Sequence, residues 1–328
     1  RRVKGMLDAK NWFACELHCH TVHSDGDFTA ETLLATARER KLDGICLTDH
    51  NTQSGVPEAQ AIGTLPVLGG MEWTTYFGHM PVLDCKRDVD WRDALPDTID
   101  EKLRQVHENG GICGVAHPFQ IGTPICTGGH WDYNVQDWAL VNYMEIWSEG
   151  APYLNTANRR AIRLWESILD RGFHLTPTFG RDWHRPTKNI YPAACTYLLC
   201  DGKDLTPENM KTAILAGRTV VSAGPLFYFE TETGATVGDT VQSGETVFCI
   251  HTNTARAESV PHSDRYTPKT VRVFTNGGEL LAEQPFCGGE LQMTLPLVPA
   301  HWYRAELWGE INGEENCQLA VTAPIYTA

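Results

Sequence analysis

Apolar and polar positions alternate along the first part of the chain in a way that predicts strands and helices in turn. An apolar segment at residues 12–15 is typical of a strand. A helix is predicted from about residue 30 to residue 41. Its apolar side chains recur at helical spacing: Ala30, Leu33, Leu34 and Ala37. A second apolar strand follows at residues 44–48, and strand, helix and strand in this order indicate parallel βαβ units.

The same alternation continues to about residue 222. Further strands are predicted at residues 65–69, 79–83, 112–116, 142–147, 173–179, 194–200 and 219–222. Helices are predicted at residues 97–109, 154–171 and 207–215. A long loop is predicted at residues 119–137. So many alternations within about 220 residues favour a closed α/β barrel over an open sheet.

The pattern changes near Gly224-Pro225, where helical periodicity ends and strand and turn signals take over. Candidate strands cover residues 227–232, 246–252, 270–275, 291–295, 302–308 and 318–326. Asn276-Gly277 is a hairpin-type turn. We therefore predict two domains, an α/β barrel at residues 1–224 and an Ig-like β-sandwich at residues 225–328.

Composition narrows the classes of protein to which the chain can belong. The net charge of −14 argues against a nucleic-acid binder, and no apolar run reaches the roughly 18 residues needed to cross a membrane. Eleven cysteines without paired C-x-x-C spacing indicate reduced core thiols, which favours the cytoplasm. Residues 1–15 lack a signal-peptide pattern, although a removed leader would also fit a chain that starts at Arg1.

Potential metal ligands fall at or beside the predicted strand ends. His18 and His20 lie two residues apart, so strand geometry turns both toward one face and turns Cys19 away. The full set has six imidazoles and three carboxylates: His18, His20, Asp25, His50, Glu72, His79, His117, Asp182 and His184. Singly, each residue could serve a turn, a cap or the core. Strand ends converge on one rim of a parallel barrel, so their joint placement predicts a metal site.

These residues stand in motifs that resemble the PHP (polymerase and histidinol phosphatase) family of metal-dependent hydrolases. The motifs are His18-x-His20, Ser24-Asp25-Gly26, Thr48-Asp49-His50-Asn51, Gly70-x-Glu72, Gly78-His79, Ala116-His117-Pro118 and Asp182-x-His184. The resemblance implies a distorted (β/α)7 barrel with two or three divalent ions. The last motif departs from the usual Gly-Ser-Asp-x-His and reads Gly-Arg-Asp-Trp-His from residue 180. The run after Glu72 and the strand-rich second part look most like the CehA/McbA-like metallohydrolases.

The resemblance also implies how the ligands are shared among the ions. His18, His20, Glu72 and Asp182 would hold one ion, Glu72 would bridge to a second held by His79 and His117, and Asp25, His50 and His184 would hold a third. Imidazole and carboxylate ligands fit Mn, Fe or Zn. With three carboxylates and one hydroxide, three ions leave a charge of +2 and two ions leave zero. A centre with three ions would thus attract a phosphate dianion. A centre with two ions would have no such preference and would accept neutral esters as readily as phosphate esters.

We predict a hydrolase of small-molecule esters, in the first place a phosphomonoesterase or phosphodiesterase. A carbamate, carboxyl-ester or amide hydrolase on the same centre is the alternative, and a metal-stabilised module that binds a glycan or a partner is the non-enzyme alternative. Arg181 and Arg185 flank the last ligands and are candidates for holding a substrate anion, or else for surface salt bridges. Glu145 is a candidate for orienting a ligand histidine. The sequence leaves the oligomeric state open.

Overall fold

The computed structural model describes residues 11–121, 129–149, 153–186, 193–261 and 264–328. Helices in these ranges are short, and the longest has 14 residues. They are α1 (Ala30–Glu39), α2 (Val56–Ile62), α3 (Ile99–Glu108), α4 (Thr156–Leu169), α5 (Pro207–Leu215) and α6 (Ala255–Glu258). None of the described helices is long and apolar enough to cross a membrane. The long loop predicted at residues 119–137 lies partly outside the described residues.

Strands dominate the described chain. The first nine are β1 (Trp12–Cys19), β2 (Gly44–Leu47), β3 (Val67–Thr75), β4 (Gly78–Leu83), β5 (Ile112–Val115), β6 (Tyr143–Ser148), β7 (Thr176–Gly180), β8 (Cys195–Leu199) and β9 (Thr219–Ser222). The others are β10 (Leu226–Thr231), β11 (Thr240–Val241), β12 (Gly244–Asn253), β13 (Tyr266–Thr275), β14 (Glu279–Pro285), β15 (Gly289–Leu297), β16 (Trp302–Ile311), β17 (Glu314–Thr322) and β18 (Ile325–Thr327).

The first part of the chain forms a mixed sheet in the order β9-β8-β1-β2-β3-β4-β5-β6-β7. Strands β1, β2 and β3 are parallel, and so are β5, β6 and β7. Strand β4 runs antiparallel to both β3 and β5, and β8 runs antiparallel to β1. The regular alternation that the sequence predicted is therefore broken at β4, because the two residues between β3 and β4 allow only a hairpin.

The sheet curls back on itself, so the ends of β1 and β7 meet. The N–H of His20 donates to the carbonyl of Trp183, and the N–H of Trp183 donates to the carbonyl of His18, each at 3.0 Å. This backbone pairing places the residues after β7 directly beside the end of β1. Candidate ligands more than 160 residues apart in the sequence are thereby brought onto one rim.

Helix α1 confirms the local prediction and α2 shows its limit. The Thr29 side chain caps α1, and the four apolar residues at helical spacing are buried. Helix α2 was not predicted, since Ala59 is the one residue in it that is buried and no amphipathic pattern marks it.

Strands take over after residue 224, as the sequence predicted, with the four-residue α6 as the one α-helix described there. The hairpin of β13 and β14 turns at Asn276-Gly277 as predicted. Strand β14 itself was missed, since none of its side chains is fully buried. Strand β17 pairs with β9 and makes the sheet continuous with the first part. The division at residue 224 and the Ig-like sandwich stay predictions.

Ten cysteines lie in the described ranges, and each carries a free thiol, as the composition predicted. Most are buried among apolar side chains. Cys126 lies outside the described residues. The cytoplasmic location stays a prediction.

A buried ion network joins α4 to the C-terminal strands. The Arg304 side chain on β16 is 2% exposed, and its guanidinium contacts the carboxylates of Glu166 on α4 and Glu306. Nearby, the indole N–H of Trp302 donates to Asp170 at 2.8 Å. Removing one partner of such a network leaves a buried charge without compensation.

Replacing Arg304 by Met should therefore lower the free energy of unfolding by about 3–5 kcal/mol, because Glu166 and Glu306 lose their shared cation. The matched control is Arg92→Met, which breaks an exposed pair with Asp90 and should leave the free energy of unfolding almost unchanged. Urea denaturation measures both variants. Equal losses would show that the network does not hold α4 to the C-terminal strands.

Candidate metal centre

The nine predicted ligands lie together in three groups of donor atoms. The inner group is His18, His20, Glu72 and Asp182; the bridged group is Glu72, His79 and His117; the outer group is His20, Asp25, His50 and His184. Within each group the donor atoms lie within 4.8 Å of one another. The shared position of Glu72 follows the arrangement that the resemblance implied. The second shared residue, His20, adjoins the outer group as well, which the sequence did not indicate.

Strand β1 presents its two histidines to the inner group. A break in register between Glu16 and Cys19 marks a bulge in the pairing of β1 with β2. Cys19 is buried away from the ligand groups, as predicted, and Leu17 is buried in a different apolar cluster. Cys19 belongs to the core and stands apart from the ligand groups.

The inner group is the most buried of the three, with only Asp182 partly exposed. The Nε2 atom of His18 lies 3.3 Å from Glu72 Oε1 and 3.5 Å from Asp182 Oδ1. The Nε2 atom of His20 lies 3.1 Å from the same Asp182 oxygen. The side chains of His18, His20 and Glu72 are fully buried. Four donor atoms thus converge at short range, and three of the four side chains that carry them are fully buried.

The donor atoms of the inner group fit a bound cation. His18 Nε2, His20 Nε2 and Asp182 Oδ1 are buried, and none of them makes a hydrogen bond of acceptable geometry within the described part of the chain. Buried polar atoms normally have such partners. Imidazole nitrogens and carboxylate oxygens are ligands for Mn, Fe and Zn, and a shared divalent ion would satisfy all three atoms at once. The residues present therefore fit the ions that the resemblance implied.

Glu145 on β6 orients two of the ligands. Its Oε1 lies 2.7 Å from His18 Nδ1, which turns Nε2 of that ring toward the inner group. Its Oε2 accepts the backbone N–H of His117 at 2.9 Å. A carboxylate behind a ligand imidazole fixes the ring and raises its basicity. The orienting role considered for Glu145 from the sequence agrees with this geometry.

Gly180 makes room for this contact. A Cβ atom added at Gly180 would lie 2.0 Å from Glu145 Oε1 and 2.8 Å from the His18 Cβ. The glycine at the end of β7 is thus required by the close approach of β6 and β1. Larger side chains there would push the carboxylate off His18.

The outer group lies at the mouth of the site. His50 Nε2 and His184 Nε2 lie 3.3 Å and 3.1 Å from Asp25 Oδ1. The Nδ1 atom of His184 lies 2.9 Å from the carbonyl oxygen of Asp182, so Nε2 is left to face the group. The Asp25 side chain is 62% exposed, in contrast to the buried inner group.

Asp49 holds the loop that carries Asp25. Its Oδ1 accepts the N–H of Thr21 at 2.6 Å and the hydroxyl of Ser24 at 2.7 Å, and its Oδ2 accepts the Thr21 hydroxyl at 2.8 Å. A Cβ atom at Gly26 would lie 2.6 Å from the His20 carbonyl oxygen, so this turn also needs glycine. Sequence reasoning gave Asp49 no role, although its place next to His50 in the motif was a usable signal.

Two ligands sit in backbone conformations that side chains rarely adopt. His117 has a φ of 26° and Asp182 a φ of 53°. Strained residues of this kind cost of order 1–3 kcal/mol and persist only where the surroundings enforce them. Here Glu145 accepts the N–H of His117, and the pairing of Trp183 with His18 holds the chain after Asp182.

The charged groups of the centre and the burial of its side chains shift the pKa values in opposite directions. Burial lowers the pKa of His18 and His117, but the neighbouring carboxylates outweigh it, so the pKa of His18 lies well above its usual range and that of His117 rises to about 9. Burial raises the pKa of Glu72 and Asp182, but the imidazoles outweigh it and hold both well below the usual range. For His20 burial wins, and its pKa falls to about 4.

Arg181 does not lie at the mouth. Its side chain is buried, with Nε 3.5 Å from Glu16 Oε2 and one Nη donating to the carbonyl of Ala194. Its backbone N–H also donates to Glu16, at 2.8 Å. A buried guanidinium held by Glu16 cannot reach a substrate in this conformation, which corrects the expectation for Arg181.

Arg185 is placed differently. Its side chain is 72% exposed, with Nε 3.4 Å from Asp27 Oδ2, and it directly follows the ligand His184. A contact between Arg185 and a substrate anion stays a prediction. His23, between the ligands His20 and Asp25, bonds instead to Ser54 and Glu58 outside the three groups.

Comparisons with known proteins agree with the motifs. A PHP domain model matches residues 16–81. A phosphoribosyl 1,2-cyclic phosphate 1,2-diphosphodiesterase from Eggerthella lenta is 34% identical over 64 residues, which are 19% of this chain and 24% of that protein. The match therefore covers about a quarter of the relative's length.

The fold has a counterpart among solved structures. A two-domain protein from Bacteroides vulgatus, described as containing a predicted PHP-like metal-dependent phosphoesterase, superposes with a TM-score of 0.53. The alignment covers 96% of this chain and 95% of that one at 14% identity. At this identity the likeness shows the fold alone.

Gly180→Ala should reduce metal affinity by about 10- to 100-fold, because the added methyl group displaces Glu145 from His18. Calorimetric titration of the metal-stripped protein with Mn²⁺ or Zn²⁺ measures this. Gly172→Ala is the control, since Gly172 has a φ of 85° and open space around it. That change should cost about 1 kcal/mol of stability and leave metal binding intact. Unchanged affinity in Gly180→Ala would refute the role given to the Glu145 contact.

Proposed function

We propose that this chain is a metal-dependent hydrolase that acts on small-molecule phosphoesters. The observation that carries the proposal is the set of three adjoining ligand groups that share Glu72 and His20. When bound, divalent ions in such groups supply Lewis-acid activation of water and of phosphoryl oxygens. The PHP domain match and the phosphodiesterase and phosphoesterase names of the similar proteins support the same reaction class.

The gradient of exposure supports an enzyme rather than a metal-stabilised module. The side chains of His18, His20 and Glu72 are fully buried, whereas those of Asp182, His50 and His184 are 18%, 19% and 24% exposed. The Asp25 side chain is more exposed still, at 62%. A site that serves only stability is normally closed on all sides. An opening that reaches ligand atoms lets a substrate approach the centre.

The charges of the centre support a phosphoester substrate if three ions bind. Glu145 adds a fourth carboxylate to those of Asp25, Glu72 and Asp182, because it lies behind His18 without being a ligand. With four carboxylates and one hydroxide, three divalent ions leave a charge of +1 and two ions leave −1. Attraction of a phosphate dianion therefore depends on the third ion, which the outer group would hold.

The remaining residues act by positioning. Glu145 sets the ring of His18, the carbonyl of Asp182 sets the ring of His184, and Asp49 holds the loop of Asp25. Held in this way, the donor atoms need little reorganisation when ions or substrate bind. Arg185 at the mouth is the candidate for contact with the anionic group of the substrate.

We also propose that the first part of the chain is a distorted (β/α)7 barrel and that the chain belongs to the CehA/McbA-like subgroup. The curl of the sheet from β1 to β7 and the Gly78-His79-Met80 run are what support them. A carbamate, carboxyl-ester or amide hydrolase would use the same ligand groups, so substrate trials decide between the two classes.

Purified protein should carry two to three Mn, Fe or Zn ions per chain and should hydrolyse phosphate monoesters or diesters. His18→Ala and Glu72→Ala should each lower kcat/KM by at least about 100-fold, because both remove ligands of the inner group. Elemental analysis and a panel of phosphate esters, carboxyl esters and aryl carbamates measure this. His23→Ala is the matched control and should keep both metal and activity.

Less than one ion per chain after metal-supplemented expression would refute the metal-dependent mechanism. Turnover confined to carbamates or carboxyl esters would favour the alternative class on the same centre.

Arg185→Ala should raise KM for a phosphomonoester about tenfold with little change in kcat, because it removes a charge that meets the substrate at the mouth. Arg185→Lys should recover part of the affinity. Arg181→Ala should instead lower the melting temperature, since it leaves the buried Glu16 carboxylate without its cation. An unchanged KM in Arg185→Ala would remove Arg185 from the site.

A further inference from the structure

A second cavity lies at the other end of β1 from the metal ligands. Its volume is about 530 Å³, within the range of small-molecule sites. It opens between the end of α1, strands β1, β10 and β12, and α6. Its walls include the rings of Trp12 and Tyr197 and the aliphatic side chains of Leu42, Leu65 and Leu226. Trp12 and His18 stand six residues apart on β1, so the cavity and the metal centre are about 20 Å apart.

Trp12, which lines this cavity, carries a buried hydrogen-bond donor without an acceptor among the described residues. The residue is 6% exposed, and its ring packs on that of Tyr228 at 5.4 Å between centroids. Its indole N–H has no acceptor among the described residues. A buried indole N–H normally has one. The wall therefore offers a hydrogen bond that a ligand oxygen would complete with a small shift of the ring.

The cavity is basic in a strongly acidic chain. Arg38, Lys41 and Arg256 contribute three positive charges to its walls, and Asp43 contributes one negative charge. The chain as a whole carries −14. The Asp43 carboxylate already accepts the N–H of Ala14 at 2.7 Å. A positive pocket on such a surface selects anions from solution.

Arg256 neutralises two backbone carbonyl oxygens that would otherwise repel an anion. Its guanidinium donates to the carbonyl oxygens of Arg40 and Lys41, which lie at the C-terminal end of α1. Unpaired carbonyls at a helix end carry partial negative charge. With these two engaged by Arg256, the exposed Arg38 and Lys41 side chains are left to meet a ligand at the rim.

We propose that this cavity binds a small organic anion, with its apolar body against Trp12 and the leucines and its charged group at Arg38 and Lys41. The size, the apolar wall, the unmet indole donor and the local charge all point to this class. The proposal is independent of the hydrolase function, because none of these residues belongs to the ligand groups.

The probe is 8-anilinonaphthalene-1-sulfonate, and N-phenyl-1-naphthylamine, which lacks the sulfonate, is its matched neutral control. Fluorescence titration of the full chain should show tighter binding of the sulfonate. The double variant Arg38→Ala/Lys41→Ala should weaken sulfonate binding about tenfold and leave the neutral probe unchanged. Arg92→Ala/Lys203→Ala makes the same change in net charge at exposed positions outside the cavity. It should leave both affinities unchanged.

Two further variants locate the probe. Trp12→Phe keeps an aromatic wall but removes the N–H, and it should weaken the sulfonate more than the neutral probe. His18→Ala should leave sulfonate affinity unchanged. Equal sulfonate affinity in wild type and Arg38→Ala/Lys41→Ala overturns the proposal. Loss of sulfonate binding in His18→Ala also overturns it, since the probe would then occupy the metal centre.

Discussion

The centre depends on one fully buried carboxylate. Glu72 lies within 3.3 Å of imidazole nitrogens from His18, His50, His79 and His117, which come from four separate segments of the chain. A charge buried in this way is stable only among opposite charges or ions, and the depressed pKa of Glu72 reflects that balance. The imidazoles in turn need carboxylates or metal ions. The buried carboxylates and imidazoles of the centre therefore stabilise one another's presence in the interior.

The curl of the sheet is what makes this mutual support possible. Pairing of the residues after β7 with the end of β1 brings Asp182 and His184 beside His18 and His20. Strand β6 then places Glu145 behind His18, with Gly180 leaving the necessary space. Strain at His117 and Asp182 is held by the same contacts. The centre and the proposed anion cavity lie at opposite ends of β1, which contributes His18 to the first and Trp12 to the second.

Most helices and strands were predictable from capping residues and apolar periodicity in their own sequence. The elements that were missed lack these features. Helix α1 has a capping threonine and four apolar side chains at helical spacing, so its sequence contains its own signal. Helix α2 and strand β14 have little or nothing buried, so periodicity could not reveal them. Arg181 looked like a substrate residue because it adjoins Asp182. The structure turns its side chain inward, where Glu16 holds it.

The sequence by itself singled out the nine candidate metal ligands, since imidazole and carboxylate side chains in or beside strands, in recognisable motifs, are a local pattern. It also indicated where helices give way to strands, because periodicity is a local property. Only the tertiary structure decided that His20 adjoins two groups, that Asp49 holds the loop of Asp25, and that Trp12 lines a basic cavity. These depend on distances between segments remote in sequence, and such distances are set by strand pairing and packing across the whole fold.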